Sequence, residues 1–295
     1  MNIHLLDLQF LGQPGLIASY LLEDGGELAL VETGPGSTLP TLLKAIRAAG
    51  FAPNQIRKVL VTHVHLDHSG AAGWWAQQGA TVYVHPRGAT HIVDPTKLVD
   101  SARRVYGDQM DRLWGDILPA PADRVVALQD GEKVNVGKSE LIAVDTPGHA
   151  RHHLAYVLGD ACFTGDVAGM RLQQCNYLSV TAAPPQFDPV EYAESLNRLH
   201  EAHFAKLYLT HFGEVTDVAE HLAGYALRVE QVHEKVSGLM QQGLSGAALR
   251  EAYREAEREV AANAGANEEQ WRDYELANPT GMCADGIALY VSKHS

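Results

Sequence analysis

The stretch VLVTHVHLDHSGAAG, Val59 to Gly73, sets three histidines and an aspartate within six positions, His63-x-His65-x-Asp67-His68, at the end of an apolar run and just before a glycine-punctuated helix start. In an extended backbone, residues two apart project to the same side, so His63 and His65 point together from the end of the VLV strand. Asp67 and His68 follow at the turn into the helix, where the change of backbone geometry aims their side chains at a second point a few ångströms away. Two imidazoles on one side make half a metal site, and the displaced pair points to two metals rather than one. Reading all four as strand-end and helix-cap groups is the weaker account, because so dense a packing of unpaired polar groups costs stability.

Outward from this stretch, the first third alternates short β-like runs with amphipathic segments. LLDLQF, IASYLLE and ELALVET read as strands joined by glycine-containing turns, and STLPTLLKAIRAAG as a helix with Ser37 as N-cap and Gly50 as C-cap. RKVLVT is a buried strand, GAAGWWAQQG starts a helix and TVYVH is the next strand. Residues 86–121 form a helical insertion bounded by prolines, DPTKLVDSARRVYGDQMDRLWGD. Strand-like runs return with DRVVALQ, SELIAVDT, HLAYVLG and ACFTGD, then come an irregular loop through TAAPPQFD, a helix DPVEYAESLNRLHEAHF and a strand KLYLTH. After Gly213 the chain is almost wholly helical, about Val215 to Gln242 and Leu244 to Ala264, before a terminal strand-like run, IALYVSK. The expected division is a main domain over residues 1–214 and a helical appendage over 215–295, packed directly on it because no linker-like segment intervenes.

The 295 residues suit a single large α/β unit with an appendage, and 46% hydrophobic with 20% charged residues describes a globular chain. No apolar run approaches the roughly 20 residues that span a bilayer, and MNIHLLDLQFLGQPG lacks the features of a signal peptide, so a cytoplasmic location and no membrane partner are expected. Cys162, Cys175 and Cys283 are too few and too scattered for a disulfide framework or a C-x-x-C pair. With 23 basic against 36 acidic residues, net −13, and no Lys/Arg cluster, nucleic acid is not an expected partner.

Three further segments, each just after a β-like run, carry a donor of the same kind: His149 in DTPGHARHH, Asp166 in FTGDVAG and His211 in LTHFG. H-x-H-x-D-H, then TPGH, TGD and a late strand-end histidine, resembles the metallo-β-lactamase superfamily over about residues 1–215. The resemblance implies an α/β fold, a four-layer αββα sandwich of two mixed sheets face to face with helices outside and metals at one edge. It implies that His63, His65 and His149 hold one metal, that Asp67, His68 and His211 hold another, and that Asp166 bridges them. Glu32 in LVETG stands where many relatives have an aspartate that supports the ligands by hydrogen bonding, a departure of one methylene. His153 falls where thioester-cleaving relatives of the glyoxalase II type often have another histidine, and a structural or hydrogen-bonding role is expected for it. A surface role is expected for Arg151, His152, His85, His91, His200 and His233.

Donors of this mixed kind suit zinc, iron or manganese, with zinc expected first. Two such ions about 3.5–4 Å apart lower the pKa of a shared water toward neutrality. The resemblance therefore implies a metal-dependent hydrolase in which a bridging hydroxide cleaves a small-molecule ester, thioester or lactone, Asp67 orienting the hydroxide and Asp166 fixing the metal separation. Secreted β-lactamases of the superfamily usually carry Cys or Ser where Asp166 stands, and its nucleic-acid-processing branches add basic surface; neither matches. An iron-dependent oxidoreductase of the sulfur dioxygenase type and a metal-binding signalling effector with vestigial catalysis are the alternatives. Tyr177, in RLQQCNYLSVTAAPPQFD, is either a substrate contact or an ordinary buried tyrosine, and Arg171 and the NPTGM segment are open in the same way. The apolar stripe of TDVAEHLAGYALRVEQVHEKVSGLM suits packing on the main body or a homodimer surface.

Overall fold

Val59 and Leu60 belong to β4 (Ile56–Leu60), and both are fully buried, as a strand flanked on both sides by partners requires. In the computed structural model, which describes residues 1–172 and 175–294, this strand sits inside a six-stranded sheet ordered β1-β2-β3-β4-β5-β6. The others are β1 (Asn2–Asp7), β2 (Ala18–Asp24), β3 (Glu27–Val31), β5 (Thr81–Val84) and β6 (Val125–Ala127). The first three run antiparallel, and β3 to β6 run parallel. Parallel neighbours need crossovers, supplied by α1 (Leu39–Ala48), by α2 (Leu66–Ser69) with α3 (Ala72–Gln77), and by the helices of the 86–121 segment, α4 (Pro86–Val93), α5 (Thr96–Tyr106) and α6 (Met110–Trp114). Ser37 does not cap α1: its hydroxyl donates to the Leu113 carbonyl at 2.6 Å, and a 3-10 turn over Gly36–Thr38 leads into the helix instead.

The second sheet is ordered β12-β11-β10-β9-β8-β7, made of β7 (Lys133–Val136), β8 (Ser139–Asp145), β9 (Leu154–Leu158), β10 (Ala161–Met170), β11 (Lys206–His211) and β12 (Gly213–Val215), with α7 (Pro189–Glu201) between β10 and β11. The chain divides into two compact units, one comprising residues 1–145 and 152–165, the other residues 146–151 and those from 166 onward. Within the first unit the two sheets meet face to face: the Tyr156 hydroxyl of β9 donates to the Val61 carbonyl at 2.9 Å, and the rings of Tyr20 (β2) and Phe163 (β10) make an edge contact at 5.3 Å. The expected α/β architecture of two sheets with helices is present.

Within the second unit, α8 (Val218–Gln241), α9 (Gly246–Asn263), α10 (Glu268–Ala277) and α11 (Thr280–His294) form the C-terminal helices. The IALYVSK run is thus the end of α11 and not a strand. A five-residue apolar run has no period of its own; burial of Thr280, Cys283, Ala284 and Ile287, a helical stripe, decides it. α8 and α9 are clasped by an ion pair between half-buried Arg228 and buried Glu257, Arg228 Nη2 donating to both Glu257 oxygens at 2.8 and 2.7 Å. Tyr177 is buried and donates to the same carboxylate at 2.6 Å, which makes it a packing residue. Arg171 clasps Asp217 with two bonds of 2.9 and 2.8 Å, and Asn278 of NPTGM donates to Ser179 Oγ and the Val180 carbonyl. Gln173 and Gln174 of the RLQQCNY loop lie outside the described residues. No helix among the described residues is long and apolar enough to cross a membrane.

Candidate metal centre

In the first unit, strand register brings the end of β3 beside the loop that follows β4. Val31 pairs with Leu60, and Glu32 N–H donates to the Leu60 carbonyl at 2.9 Å. Glu32 has φ +64°, a left-handed conformation uncommon for a residue with a Cβ. Its carboxylate turns inward and is 1% exposed. Oε2 accepts the Thr62 N–H at 3.3 Å, and Oε1 accepts the Thr62 hydroxyl at 2.5 Å and faces His68 Nδ1 at 3.0 Å. With its proton given to Glu32, Thr62 Oγ1 accepts from His63 Nδ1 at 3.0 Å. One buried carboxylate therefore commits the Nδ1 proton of both His63 and His68, so Nε2 is the nitrogen that each neutral ring would offer to a metal. The one-methylene departure at Glu32 preserves the supporting bond.

His63 Nε2 lies 2.9 Å from His65 Nδ1, and His68 Nε2 lies 3.6 Å from Asp67 Oδ2. His65 is still extended (φ −64°, ψ 151°) and immediately precedes α2, which carries Asp67 and His68. The strand itself stops at Leu60, so the two paired imidazoles project from the extended segment beyond it.

In the second unit, Asp166 is the centre. It lies inside β10, which continues to Met170 where the sequence pattern suggested a loop; an isolated bridge from Met170 to Ser179 extends the pairing. Its Oδ2 is 3.3 Å from His149 Nε2 and its Oδ1 is 3.4 Å from Nε2 of His211, the last residue of β11. His149 Nδ1 is 2.9 Å from the Thr181 carbonyl, which can only accept, so Nδ1 carries a proton and Nε2 is the nitrogen that a neutral ring would offer to a metal.

These separations bear on what the donors fit. Charge-assisted hydrogen bonds shorten to about 2.7–2.9 Å, whereas a tetrahedral ion with bonds of about 2.0–2.2 Å sets neighbouring donors about 3.3–3.6 Å apart. The imidazole–carboxylate spacings of 3.3, 3.4 and 3.6 Å fall on the second range. Imidazoles with an Nδ1 proton held by an acceptor, set beside carboxylates, fit a divalent cation, and His and Asp groups that could hold one are present. The structure gathers His63, His65, Asp67 and His68 in one unit and His149, Asp166 and His211 in the other.

Two histidines expected at the surface are buried. His152 is drawn in because Leu154 N–H donates to the Thr62 carbonyl at 2.8 Å, laying its ring parallel to that of His63 at 6.1 Å. His85 caps α4, its Nδ1 accepting the Arg87 N–H at 3.0 Å. His153 is fully buried, its ring 5.0 Å from that of His63. Gly165 of the TGD motif has φ +50°, and a Cβ there would lie 2.4 Å from Thr62 Oγ1 and 2.8 Å from His153 Nε2. The motif glycine thus makes room for the hydroxyl that relays Glu32 to His63. Burial first, and then the charge of Glu32, hold the Tyr156 phenol well above its ordinary range, keeping it a donor to Val61.

The family model of the metallo-β-lactamase superfamily matches residues 12–211, a span that contains all seven donors and Glu32. Among curated proteins, the metallo-beta-lactamase fold-containing protein ST1585 of Sulfurisphaera tokodaii is 28% identical over 224 residues, covering 72% of this chain and 85% of that one. An atrochrysone carboxyl ACP thioesterase of Aspergillus chevalieri is 32% identical over 152 residues, 50% of this chain and 39% of its own length, so the match spans well under half of that protein. The solved structure of the metallo-beta-lactamase family protein TTHA1429 from Thermus thermophilus superposes with a TM-score of 0.70 at 20% identity, covering 99% of this chain and 93% of that one. That of ST1585 superposes with a TM-score of 0.69 at 20% identity, covering 97% and 98%. Both likenesses concern the fold. With a family model covering two thirds of its length, the chain belongs to the metallo-β-lactamase superfamily.

Proposed function

We propose that this chain is a metal-dependent hydrolase that cleaves a small-molecule ester, thioester or lactone. In this reading seven side chains hold two divalent cations, zinc first: His63, His65 and His149 at one, Asp67, His68 and His211 at the other, with Asp166 shared. The observation that carries the reading is the fixing of the tautomers. His63, His68 and His149 each commit Nδ1 to an acceptor, which turns three Nε2 lone pairs toward an electrophile. When bound, such a pair of cations acidifies water toward neutral pH and withdraws charge from a carbonyl oxygen.

The chain's own groups do the rest. Glu32 holds two imidazoles in register through Thr62 and directly. Asp166, 4% exposed, keeps a carboxylate between His149 and His211. Asp67 has 19% of its side-chain surface exposed, so it is the carboxylate that solvent reaches, and it orients the attacking water and takes its proton. Superfamily membership and the thioesterase relative support acyl chemistry, and a net charge of −13 speaks against a nucleic-acid substrate.

A panel of thioesters, acyl-homoserine lactones and aryl esters, assayed with the zinc-loaded chain, tests this. Turnover of one class is expected, lost in folded His65→Ala and Asp166→Ala variants. Inertness toward the whole panel, or full activity in either variant, overturns the reading.

A further inference from the structure

Two side chains one turn apart on α8, His221 and Tyr225, serve two carbonyls two residues apart on β10. His221 Nε2 donates to the Ala168 carbonyl at 2.9 Å. The Tyr225 hydroxyl meets the Tyr192 hydroxyl of α7 at 3.0 Å, and Tyr192 in turn donates to the Asp166 carbonyl at 2.9 Å. The spacings are commensurate: four residues of helix rise about 6 Å, two residues of strand about 6.6 Å, and strand carbonyls two apart face the same way. A third hydroxyl completes the set. Thr181 Oγ1 donates to the Asp166 carbonyl at 3.1 Å and lies 2.9 Å from Tyr192 Oη, while Thr181 N–H donates to Tyr225 Oη at 3.3 Å. The Thr181 carbonyl is the one that accepts His149 Nδ1.

The protons can be counted. Thr181 N–H supplies Tyr225, Tyr225 supplies Tyr192, and the hydroxyls of Tyr192 and Thr181 are both left to donate to the backbone of Asp166. The fit leaves no slack: a Cβ on Gly169 would lie 2.0 Å from the Tyr225 ring, and one on Gly148 would lie 2.4 Å from Tyr192 Cα. Phenylalanine would fill the same volume at 192 or 225; what the hydroxyls add is directed at the residue that flanks two imidazoles and, through Thr181, at His149.

We propose that Tyr192, Tyr225 and Thr181 are positioning residues that set the Asp166 carboxylate and the His149 imidazole for a metal ion, which makes helix α8 a working part of the metal centre. The inference rests on the metal-binding reading above.

The test compares Tyr192→Phe and Tyr225→Phe with Tyr253→Phe, which changes an equally buried tyrosine of α9. Zinc affinity is measured by competition with a chromophoric chelator, alongside the rise in melting temperature on adding zinc. Tyr192→Phe and Tyr225→Phe are expected to lose about tenfold in zinc affinity, the scale of lost support to a ligand, and to show a smaller zinc-dependent rise, while Tyr253→Phe binds as wild type. Affinities within twofold of wild type in both, or an equal loss in Tyr253→Phe, overturn the proposal. If Tyr192→Phe does not fold, Tyr225→Phe decides alone. A wild-type chain that takes up no divalent metal removes the metal reading itself and this inference with it.

Discussion

Glu32→Gln changes one atom and should disable two ligands. The carboxylate receives three donors, the Thr62 hydroxyl, the Thr62 N–H and His68 Nδ1. An amide has one oxygen to offer them. If that oxygen stays at the Oε1 position, the new NH2 faces the Thr62 N–H, and a buried donor left unmatched costs about 1–3 kcal/mol. If the amide flips, its NH2 confronts Thr62 Oγ1 and His68 Nδ1, and the His68 proton moves to Nε2, the atom assigned to the metal. The flipped amide should lower zinc affinity about 10–100-fold, equivalent to about 1.4–2.7 kcal/mol, and the unflipped one, a neutral acceptor in place of a carboxylate, should fall at the low end of that range. Competition titration with a chelator reads the affinity, and urea denaturation of the metal-free protein reads the desolvation cost. Glu32→Asp, which keeps the charge but shortens the reach by a methylene, should fall between wild type and Glu32→Gln. A Glu32→Gln protein that binds zinc within twofold of wild type refutes the argument that this carboxylate sets the tautomers.

Gly165→Ala forces a methyl to 2.4 Å from Thr62 Oγ1 at φ +50°, which should cost at least about 1–3 kcal/mol in urea; an unchanged urea midpoint contradicts the reading of the TGD glycine. Glu257→Ala removes the carboxylate that holds Arg228 in the interface of α8 and α9 and should destabilise by about 1.5–3 kcal/mol, seen as a lower midpoint at unchanged slope; a loss under 1 kcal/mol, taken as roughly the value of an exposed pair, contradicts it. Burial, outweighing the hydrogen bond to Ala168, holds the His221 imidazole below its ordinary pKa. The folded chain then refuses a proton that the unfolded chain takes near pH 6.5, so this contribution is intact above that pH and is lost as pH falls toward the depressed folded value. His221→Gln should flatten the acid limb of the stability curve, and parallel wild-type and variant limbs contradict the assignment.

The candidate donors stood out in the sequence as imidazoles and carboxylates near the ends of apolar runs, and their grouping, with Glu32, came from the family resemblance; Asp166 lies within β10 and not after it. What supports the donors did not stand out. Tyr192 and Tyr225 occupy apolar-stripe positions where a tyrosine packs as well as a phenylalanine, and only tertiary contact reveals where the hydroxyl goes. His152 reads as exposed beside Arg151, and it is the bond from Leu154 to Thr62 that buries it. The strand β10 runs past Asp166 through Val167-Ala168-Gly169, a weak strand sequence, because its carbonyls at Asp166 and Ala168 are taken by side chains of α7 and α8. IALYVSK read as strand-like, wrongly, for a similar reason, since the partner helices α8 and α9 that select its face lie 20 or more residues away.

Elemental analysis of the purified chain, wild type against Asp166→Ala, counts the ions that the donors hold. Two divalent ions per wild-type chain, and loss of at least one in the variant, are expected. A folded wild-type protein that retains none after incubation with zinc, iron or manganese contradicts the metal-binding reading.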